Sequence, residues 1–406
     1  MMSTSVGAVA IVLALVAGLV PVAGVFLPKA IAPLIICSAI LCTFTLGVRD
    51  RDLLHMSRAI VIPLTVLCIW ALVSSIWANE QASAFTGALH LTGNLFAGFL
   101  FFAGVRALDA EQQARISGFL TVGWFAGLAV IAIEIIFRGP IFLALYNAQF
   151  EIMADTVGPF WLKTGTAVLI ILVWPVMIAL RRSWGIAAAA AAFIAVLILA
   201  YQVKYLAGVG ALALGAVIAG LAYLSARRVA MIIAVIGVVV SLAAPSVIVQ
   251  FGTIQETITR FDFLPNAARH RIGIWSFTAA RIAEHPLLGW GMNASKEMAG
   301  GRDALLDANG INLGQSLPLH PHNAVLQLWL ELGVVGAAVY CIVLVALASL
   351  AARVPNAPLA LGQFVSALVI ANVSYGIWQA WWIATLWFAV AMSVLHQRGS
   401  AADSRW

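Results

Sequence analysis

Residues 186–199 read IAAAAAAFIAVLIL, a run without a single polar or charged side chain. Apolar and polar residues do not alternate along it, as they would in a strand of a membrane β-barrel. Because unpaired backbone amides are costly in lipid, an uninterrupted apolar run predicts a membrane-spanning α-helix. How often such runs recur along the chain therefore decides the fold.

Apolar stretches of this kind recur along all 406 residues, and we count about twelve of them. Each is close to the roughly 20 residues that cross a bilayer core of about 30 Å. The pattern predicts an all-α, polytopic membrane protein with about twelve transmembrane helices, in which residues 1–406 form a single integral membrane domain. The predicted spans are 6–27, 30–47, 59–78, 86–105, 116–137, 165–180, 183–202, 205–225, 229–250, 323–352, 359–378 and 379–396.

The composition supports this fold class and excludes several others. Hydrophobic residues make up 63% of the chain, charged residues only 9%, and the mean hydropathy is +1.03. Since soluble domains carry about 25% charged residues, a soluble enzyme and a nucleic-acid-binding protein are excluded. We also find no nucleotide-binding loop and no soluble domain that could hydrolyse ATP, which argues against a primary pump.

The positions of the basic residues predict the orientation of the chain, because Lys and Arg are enriched in short cytoplasmic segments. With both termini in the cytoplasm, the short inner segments hold 12 of the 22 basic residues, the short outer segments 4, and segment 251–322 the other 6. The 12 are Arg49, Arg51, Arg58, Arg106, Arg115, Arg181, Arg182, Arg227, Arg228, Arg353, Arg398 and Arg405. The 4 are Lys29, Arg138, Lys163 and Lys204. Segment 251–322 is therefore predicted to lie outside.

Segment 251–322 is far longer than an ordinary connection, and loops of such length are usually functional or disordered. Its many aromatic and aliphatic residues indicate folded structure with short helices. Asn266 is a predicted cap for a helix over 267–284 that His285-Pro286 ends. Arg269 and Arg271 fall in its first turn, where backbone amides and arginine side chains together favour an anion. The alternative is an amphipathic helix that rests on lipid headgroups.

His322 directly precedes the apolar stretch 323–352. The positive end of a helix dipole disfavours an imidazolium, so His322 is expected to be neutral and able to accept a proton. The alternative role is a hydrogen-bonded anchor at the membrane interface. His320 and His322 could also suggest a metal site, but Pro321 separates them and no third ligand is evident. No metal is therefore predicted.

Other polar and aromatic residues lie within or beside the predicted spans. Glu331 follows His322 by nine residues, and an intramembrane carboxyl group is a functional candidate. Pairing with Lys204 or an arginine, or a protonated carboxyl group, would also explain it. Four aromatic residues near the end of the chain predict an aromatic belt at the outer interface. They are Tyr375, Trp378, Trp381 and Trp382.

Two sequence motifs resemble a known family. His322-Asn323 is followed, after nine residues, by Gly333-Val-Val-Gly336, and the long segment contains Arg271-x-x-x-Trp275 and His285-Pro-Leu-Leu-Gly289-Trp-Gly291. Together with the many spans and the long outer loop, these motifs resemble the O-antigen ligases, polymerases and protein O-oligosaccharyltransferases, over about 175–350.

The resemblance implies a multi-pass glycosyltransferase of the bacterial inner membrane whose active site faces the periplasm. Its donor would be a glycan linked to undecaprenyl pyrophosphate, and its acceptor a sugar hydroxyl of the lipid A core. Nucleotide sugars, metals and other cofactors are not expected, and the partners would be these substrates and membrane lipids.

The resemblance also assigns roles to individual residues. His322 matches the essential histidine of the family, and Arg271 matches a loop arginine that holds the pyrophosphate. Lys204 stands where the family has a second arginine; a lysine keeps the charge but loses the planar fork. Arg269 is a further candidate for the pyrophosphate. Asn323, Trp275, Gly289, Gly291, Gly333 and Gly336 are motif positions, and packing explains the last two.

Two other functions remain open at this stage. A polymerase of the same family would join repeat units to one another, but no arginine here has glycine at the eleventh position after it, as paired polymerase motifs would require. A lipid or polysaccharide transporter would favour paired halves with broken helices, and the sequence has no such repeat. The ligase interpretation is therefore preferred.

Overall fold

The computed structural model of the chain describes residues 2–46, 58–146 and 160–395. These residues form fourteen α-helices and one small antiparallel sheet. The helices are α1 (Met2–Phe26), α2 (Ile31–Leu46), α3 (Arg58–Ser74), α4 (Gln81–Ala107), α5 (Ala110–Ile136), α6 (Pro140–Tyr146), α7 (Leu162–Ser183), α8 (Gly185–Gln202), α9 (Leu206–Val249), α10 (Ile254–Arg260), α11 (Asn266–Glu284), α12 (Ala324–Ala351), α13 (Ala357–Val373) and α14 (Ala380–Ser393).

All twelve predicted stretches fall on helices, and the chain is an all-α polytopic membrane protein. Within the described residues, eight helices are long and apolar enough to cross a bilayer, and α3, α13 and α14 are shorter apolar helices. The longest, α9, covers the two stretches 205–225 and 229–250. Ser225 interrupts it with an extended backbone (φ −163°, ψ 95°), so the two predicted stretches remain distinct halves of one element.

Helix α7 forms the centre of the largest hydrophobic core. Almost all of its residues from Gly165 to Leu180 are buried, and α1, α5, α8, α13 and α14 pack around it. Small residues allow the closest crossings: a Cβ atom on Gly123 would clash with the backbone of Gly18, and one on Gly165 would lie 2.6 Å from Val25 Cα. Close backbone approach is typical of helix packing in membranes, where apolar lipid removes much of the hydrophobic driving force between helices.

The long segment 251–322 is folded, as the sequence predicts, and contains two short helices. α11 begins at Asn266, one residue earlier than expected, with Pro265 at its N-cap, and ends at Glu284 before His285. The apolar side of α11 packs against α12 through Ile274 and Phe277, so α11 is part of the protein core. The sheet of β1 (Ala304–Leu306) and β2 (Asn312–Gln315) was not predicted from the sequence.

One expectation about the surface is wrong, and another falls partly outside the described residues. Trp381 and Trp382 are only 8% and 1% exposed and contact Tyr375, so these residues form a buried aromatic cluster instead of an interfacial belt. Of the arginines used to predict the orientation, Arg49, Arg51, Arg398 and Arg405 lie outside the described residues.

Candidate functional site

Several chain segments meet at one end of the helix bundle. They are the first turn of α7, the end of α8, the segment before α12 and the connection between α13 and α14. Ser374, in the connection between α13 and α14, contacts two of the other segments. Its carbonyl oxygen lies 2.6 Å from His322 Nδ1, and its hydroxyl accepts a hydrogen bond from Tyr205 at 2.9 Å. Burial raises the pKa of Tyr375, and the side chain of Thr164, in the first turn of α7, lowers it. Residues far apart in sequence therefore share one site.

The contact with Ser374 determines which nitrogen of His322 can act as a base. A carbonyl oxygen only accepts, so the 2.6 Å contact assigns the proton of a neutral ring to Nδ1. The other nitrogen, Nε2, then carries the free lone pair. A backbone carbonyl here orients the imidazole in the way that a carboxylate orients the histidine of a hydrolase triad.

The backbone around His322 is strained and held from several sides. Its φ is +53°, a left-handed conformation that costs a non-glycine residue about 1–3 kcal/mol and is concentrated at functional sites. Trp275 donates its indole N–H to the Pro321 carbonyl at 3.0 Å. Asn323 caps α12 by accepting the backbone N–H of Leu326 at 3.0 Å. The predicted motif residues Trp275 and Asn323 thus fix the position of His322.

Burial keeps both histidines of this segment neutral. The pKa of His322 is lowered chiefly by burial and further by the positive charge of Arg271, whereas the Ser374 carbonyl raises it. Burial, helped by His322, lowers the pKa of His320 to about 3. His320 accepts the backbone N–H of His322 through Nδ1 at 3.2 Å, so it contributes to the position of His322.

Arg271 lies beside His322 with most of its hydrogen-bonding capacity unused. Its one hydrogen bond among the described residues is a long contact of 3.4 Å to the Ala267 carbonyl, and its buried Nε has no partner. Burial lowers the pKa of Arg271, while the nearby hydroxyls of Tyr205 and Tyr375 raise it. An arginine with an open fork in a half-buried position is suited to an anion of planar, bidentate geometry.

Lys204 occupies the turn at the end of α8. Its φ is +54°, and its N–H donates to Tyr201 while the N–H of Tyr205 donates to Ala200. This is the Schellman arrangement, in which glycine usually occupies the left-handed position. A lysine in that position accepts backbone strain, and its exposed side chain carries a positive charge at the end of α8. Lys204 lies within electrostatic range of Lys163, which in turn lies within range of Arg271.

Arg269 has a different environment from Arg271, although only one residue separates them. Its guanidinium forms an ion pair with Asp307 at 2.9 Å and a hydrogen bond with Asn266 at 2.6 Å, and only 9% of the residue is exposed. Asp307 also accepts the backbone N–H groups of Asn309 and Ile311. Arg269 therefore holds the turn between β1 and β2 against α11: both terminal nitrogens of its guanidinium are engaged, although its Nε, like that of Arg271, has no partner.

The glycine motifs meet where α12 is broken. Gly333 has φ +63° and ψ −157°, a conformation essentially limited to glycine. The break frees the carbonyls of Leu330 and Glu331, which accept the N–H groups of Trp290 and Gly291 at 2.8 and 2.9 Å. A Cβ atom on Gly289 would lie 2.6 Å from the backbone of Glu331. Gly333 therefore does more than allow close packing, the role expected from the sequence. It breaks α12, and segment 285–291 binds the carbonyl groups that the break exposes.

Two further motif glycines have more ordinary roles. Gly291 (φ +95°) lets its segment approach α3, where a Cβ atom would lie 2.5 Å from that of Ala78. Gly336 lies in the helical part of α12, and an added Cβ atom would meet the side chain of Leu332 at 2.5 Å. The packing role predicted for Gly336 is consistent with this position.

Glu331 lies in the core beside the break and is surrounded by hydrogen-bond donors. Its carboxylate accepts from the Asn293 N–H at 2.8 Å and the Ser295 hydroxyl at 2.5 Å. It also accepts from the side chains of Gln327 at 3.1 Å and Trp378 at 2.7 Å. No lysine or arginine of the described residues pairs with it, so the anticipated pairing with Lys204 is not observed. Glu331 joins the long segment to α12 and to the α13–α14 connection.

The structure brings some predicted residues together and adds others. The charge of Arg271 acts on His322, Lys204 is related to Arg271 only through Lys163, and Arg269 is engaged elsewhere. Sequence reasoning did not assign Ser374, Tyr205, Tyr375 or Lys163 to this site. Of these, only Lys163 had a signal in the sequence, as a basic residue at the start of an apolar helix. Within the described residues, no group of three or more His, Cys, Asp and Glu side chains could hold a metal ion.

Comparisons with known proteins relate the chain to glycan-transferring enzymes. Residues 167–341 match the family model described as O-antigen ligase. A protein named as a polysaccharide ligase in Rickettsia conorii (strain ATCC VR-613 / Malish 7) is 32% identical over 154 residues, 37% of each chain. Another with that name, in Rickettsia prowazekii (strain Madrid E), is 29% identical over 331 residues, 80% of this chain and 78% of the relative.

No solved structure matches the chain. The matched region contains Lys204, Arg271 and His322, together with the break at Gly333. It therefore includes the whole motif from His322 to Gly336 on which the predicted resemblance rests. Residues 167–341 match the O-antigen ligase family model, and this match confirms the predicted resemblance to that family.

Proposed function

We propose that this protein is an O-antigen ligase-like glycosyltransferase, which moves a glycan from undecaprenyl pyrophosphate to a sugar hydroxyl of the lipid A core. The observation that carries the proposal is the arrangement at His322. The Ser374 carbonyl engages Nδ1, and Nε2 is free to accept a proton beside the unpaired guanidinium of Arg271. A base next to a cationic site suits the attack of a hydroxyl on a phosphate-activated sugar.

In this mechanism Nε2 of His322 removes the proton from the acceptor hydroxyl as the hydroxyl oxygen attacks the anomeric carbon of the donor. The bond between that carbon and the pyrophosphate oxygen breaks, and its electron pair remains on the pyrophosphate. Arg271 and Lys204 bind the pyrophosphate and stabilise the charge that grows on it. The reaction as proposed needs no metal, and it takes place in the periplasm at the outer face of the bacterial inner membrane.

A lipopolysaccharide gel of a deletion strain tests the proposal and separates it from its nearest alternative. A ligase defect removes the long-chain ladder while long glycans accumulate on the lipid carrier. Loss of the ladder with only single lipid-linked repeat units would instead show a polymerase. An unchanged ladder, with unchanged lipid-linked glycans, would overturn both assignments.

A further inference from the structure

The carbonyl group that orients His322 lies at the C-terminal end of α13. Ser374 is the C-cap of that helix, with a non-helical backbone (φ −132°, ψ −51°), and its N–H donates to the Ile370 carbonyl at 3.0 Å. The last carbonyl groups of a helix have no partner within it, so hydrogen bonding inside α13 does not fix the direction of the Ser374 carbonyl. Its 2.6 Å contact with His322 Nδ1 therefore depends on what holds Ser374 from outside the helix.

Tyr205 holds the side chain of the same serine. Its hydroxyl donates to Ser374 Oγ at 2.9 Å, and Tyr205 and Ser374 are only 4% and 6% exposed. Ser374 thus contacts Tyr205 through its side chain and His322 through its backbone. One residue links the tyrosine to the histidine.

Tyr205 itself is held firmly in place. It follows the left-handed turn at Lys204 (φ +54°), and its N–H donates to the Ala200 carbonyl at 2.9 Å. Its ring belongs to the largest hydrophobic core, and a Cβ atom on Gly208 would overlap it. Backbone strain persists where the surrounding structure fixes it, and this strained turn places Tyr205 at the N-cap of α9.

A second hydrogen bond joins the same two helices away from the histidine. The hydroxyl of Ser366 in α13 donates to the Ala211 carbonyl in α9 at 2.9 Å, in a fully buried position. At about 1.5 Å per residue, Ser366 lies roughly 12 Å along the helix from Ser374. Both hydrogen bonds tie α9 to α13, but the one at Ser374 also bears on His322. Comparison of the two therefore separates positioning of the histidine from simple attachment of one helix to the other.

We propose that Tyr205 is a positioning residue of the site, whose hydrogen bond to Ser374 fixes the carbonyl group that holds Nδ1 of His322. The inference rests on the proposed function, in which His322 is the general base. An imidazole whose Nδ1–H keeps its acceptor presents Nε2 in one direction, whereas a ring without that acceptor can turn about its side-chain bonds. Tyr205 thus maintains the orientation that proton transfer from the acceptor hydroxyl requires.

The test compares Tyr205→Phe with Ser366→Ala in purified full-length protein. Tyr205→Phe keeps the ring in the core and removes only the hydroxyl, and Ser366→Ala removes the matched hydrogen bond between the same helices. Displacement of a reacting group by about 1 Å can cost about 10²-fold in rate, and we expect a smaller displacement in Tyr205→Phe to lower kcat by about 10-fold. The KM for the lipid-linked donor should change less than kcat. Ser366→Ala should keep the kcat of the wild type, with a similar change in melting temperature.

The pH dependence of kcat/KM provides a readout that simple attachment of the helices would not change. The Ser374 carbonyl raises the pKa of His322, so a displaced carbonyl should lower it. The decline in activity on acidification should therefore begin at a lower pH in Tyr205→Phe than in the wild type. The other charged and titratable groups that act on this ring are the same in both proteins; they are Arg271, His270 and His320.

Ser374→Ala completes the experiment, because it removes the hydroxyl and keeps the carbonyl. Two substitutions that break one hydrogen bond should not add, so the double variant should have a kcat close to that of either single variant. Normal kcat or an unshifted pH profile in Tyr205→Phe, an equal loss in Ser366→Ala, or losses that multiply in the double variant would overturn the role of Tyr205. Near-normal turnover in His322→Ala would instead overturn the proposed function, whereas its loss beside a normal Tyr205→Phe would leave that function intact.

Discussion

His322 and Glu331 are nine residues apart, and the regions around them differ in how completely their polar groups are satisfied. The carboxylate of Glu331 is fully buried and accepts hydrogen bonds from four neutral donors. Around His322, the nearby Arg271 makes one long hydrogen bond and has an unpartnered Nε. Positive φ occurs in both regions, at His322 and at Asn293, whose N–H donates to Glu331. The carboxylate of Glu331 is saturated with donors, whereas Arg271 retains unused hydrogen-bonding capacity.

The difference separates a structural polar centre from a functional one. Buried polar groups in a stable core normally have all their partners, because each unsatisfied group costs about 1–3 kcal/mol. Unused cationic capacity persists where a ligand supplies the missing interaction, and backbone strain is concentrated at such sites. The region of Glu331 is therefore expected to control stability, and the region of His322 to control turnover. The following predictions test that division.

The largest effect is expected for His322→Ala. Removal of the proposed general base should lower kcat by about 10²- to 10⁴-fold, with protein abundance and donor binding close to those of the wild type. His320→Ala should have a much smaller effect, because His320 contacts the backbone N–H and the ring of His322 and the side chain of Gln379 but leaves Nε2 of His322 as the base. Glycan transfer per amount of purified protein measures both variants. Near-normal turnover in His322→Ala would reduce His322 to an interface anchor.

Arg271→Ala is expected to have the next largest effect on activity. Loss of a charged hydrogen-bonding partner of the pyrophosphate is worth about 1.5–3 kcal/mol, which is about 10- to 100-fold in kcat/KM. Arg271→Lys should be intermediate, since a lysine keeps the charge without the fork. Steady-state kinetics with varied donor concentration provides the measurement.

Arg269→Ala is the matched control for Arg271→Ala. It leaves the carboxylate of Asp307 without its cation, so the turn between β1 and β2 should be destabilised. Its melting temperature should fall while the activity of the folded fraction is retained. The assignment of the two arginines would be reversed if Arg269→Ala remained stable and lost donor binding.

Glu331→Ala should lower the thermal stability of the protein without changing the kcat of the folded molecules. The substitution removes the acceptor for donors of Asn293, Ser295 and Trp378, and each unsatisfied group costs about 1–3 kcal/mol. Thermal unfolding in detergent should occur at a lower temperature, with normal turnover per folded molecule. Glu284→Ala, at an exposed ion pair, should change stability by no more than about 1 kcal/mol. A stable but inactive Glu331→Ala protein would contradict this division of roles.

The smallest expected effect is a shift in the pH dependence of kcat/KM. Burial and Arg271 lower the pKa of His322, so activity should decline on acidification only below the ordinary histidine value of about 6.5. Arg271→Ala removes a positive charge that disfavours the imidazolium, so the pKa should rise and the decline should begin at higher pH. Profiles of the wild type and Arg271→Ala, each scaled to its own maximum, provide the comparison. A shift to lower pH would exclude His322 as the titrating base.

Much of the helical architecture could be predicted from the sequence, because apolar runs long enough to cross a bilayer are a local property. Each of the twelve stretches is helical over most of its described length, although the helix in 359–378 ends at Val373, and His285 ends α11 as expected. The broken helix at Gly333 could not be predicted in the same way. A glycine within an apolar run is compatible with an intact helix, and the break is stabilised by segment 285–291, whose docking site depends on the whole fold.

The sequence by itself determined the membrane fold class, the long folded segment and the choice of His322 and Arg271 as candidates, because hydrophobic runs, charge and motif spacing are written along the chain. The tertiary structure decided which side chains these candidate residues contact. Arg269 and Arg271 are alike in type and position, yet one faces Asp307 and the other faces the site. Likewise, only folding brings Ser374 to His322, since hydrogen-bonding interactions depend on distance in space and not on separation in sequence.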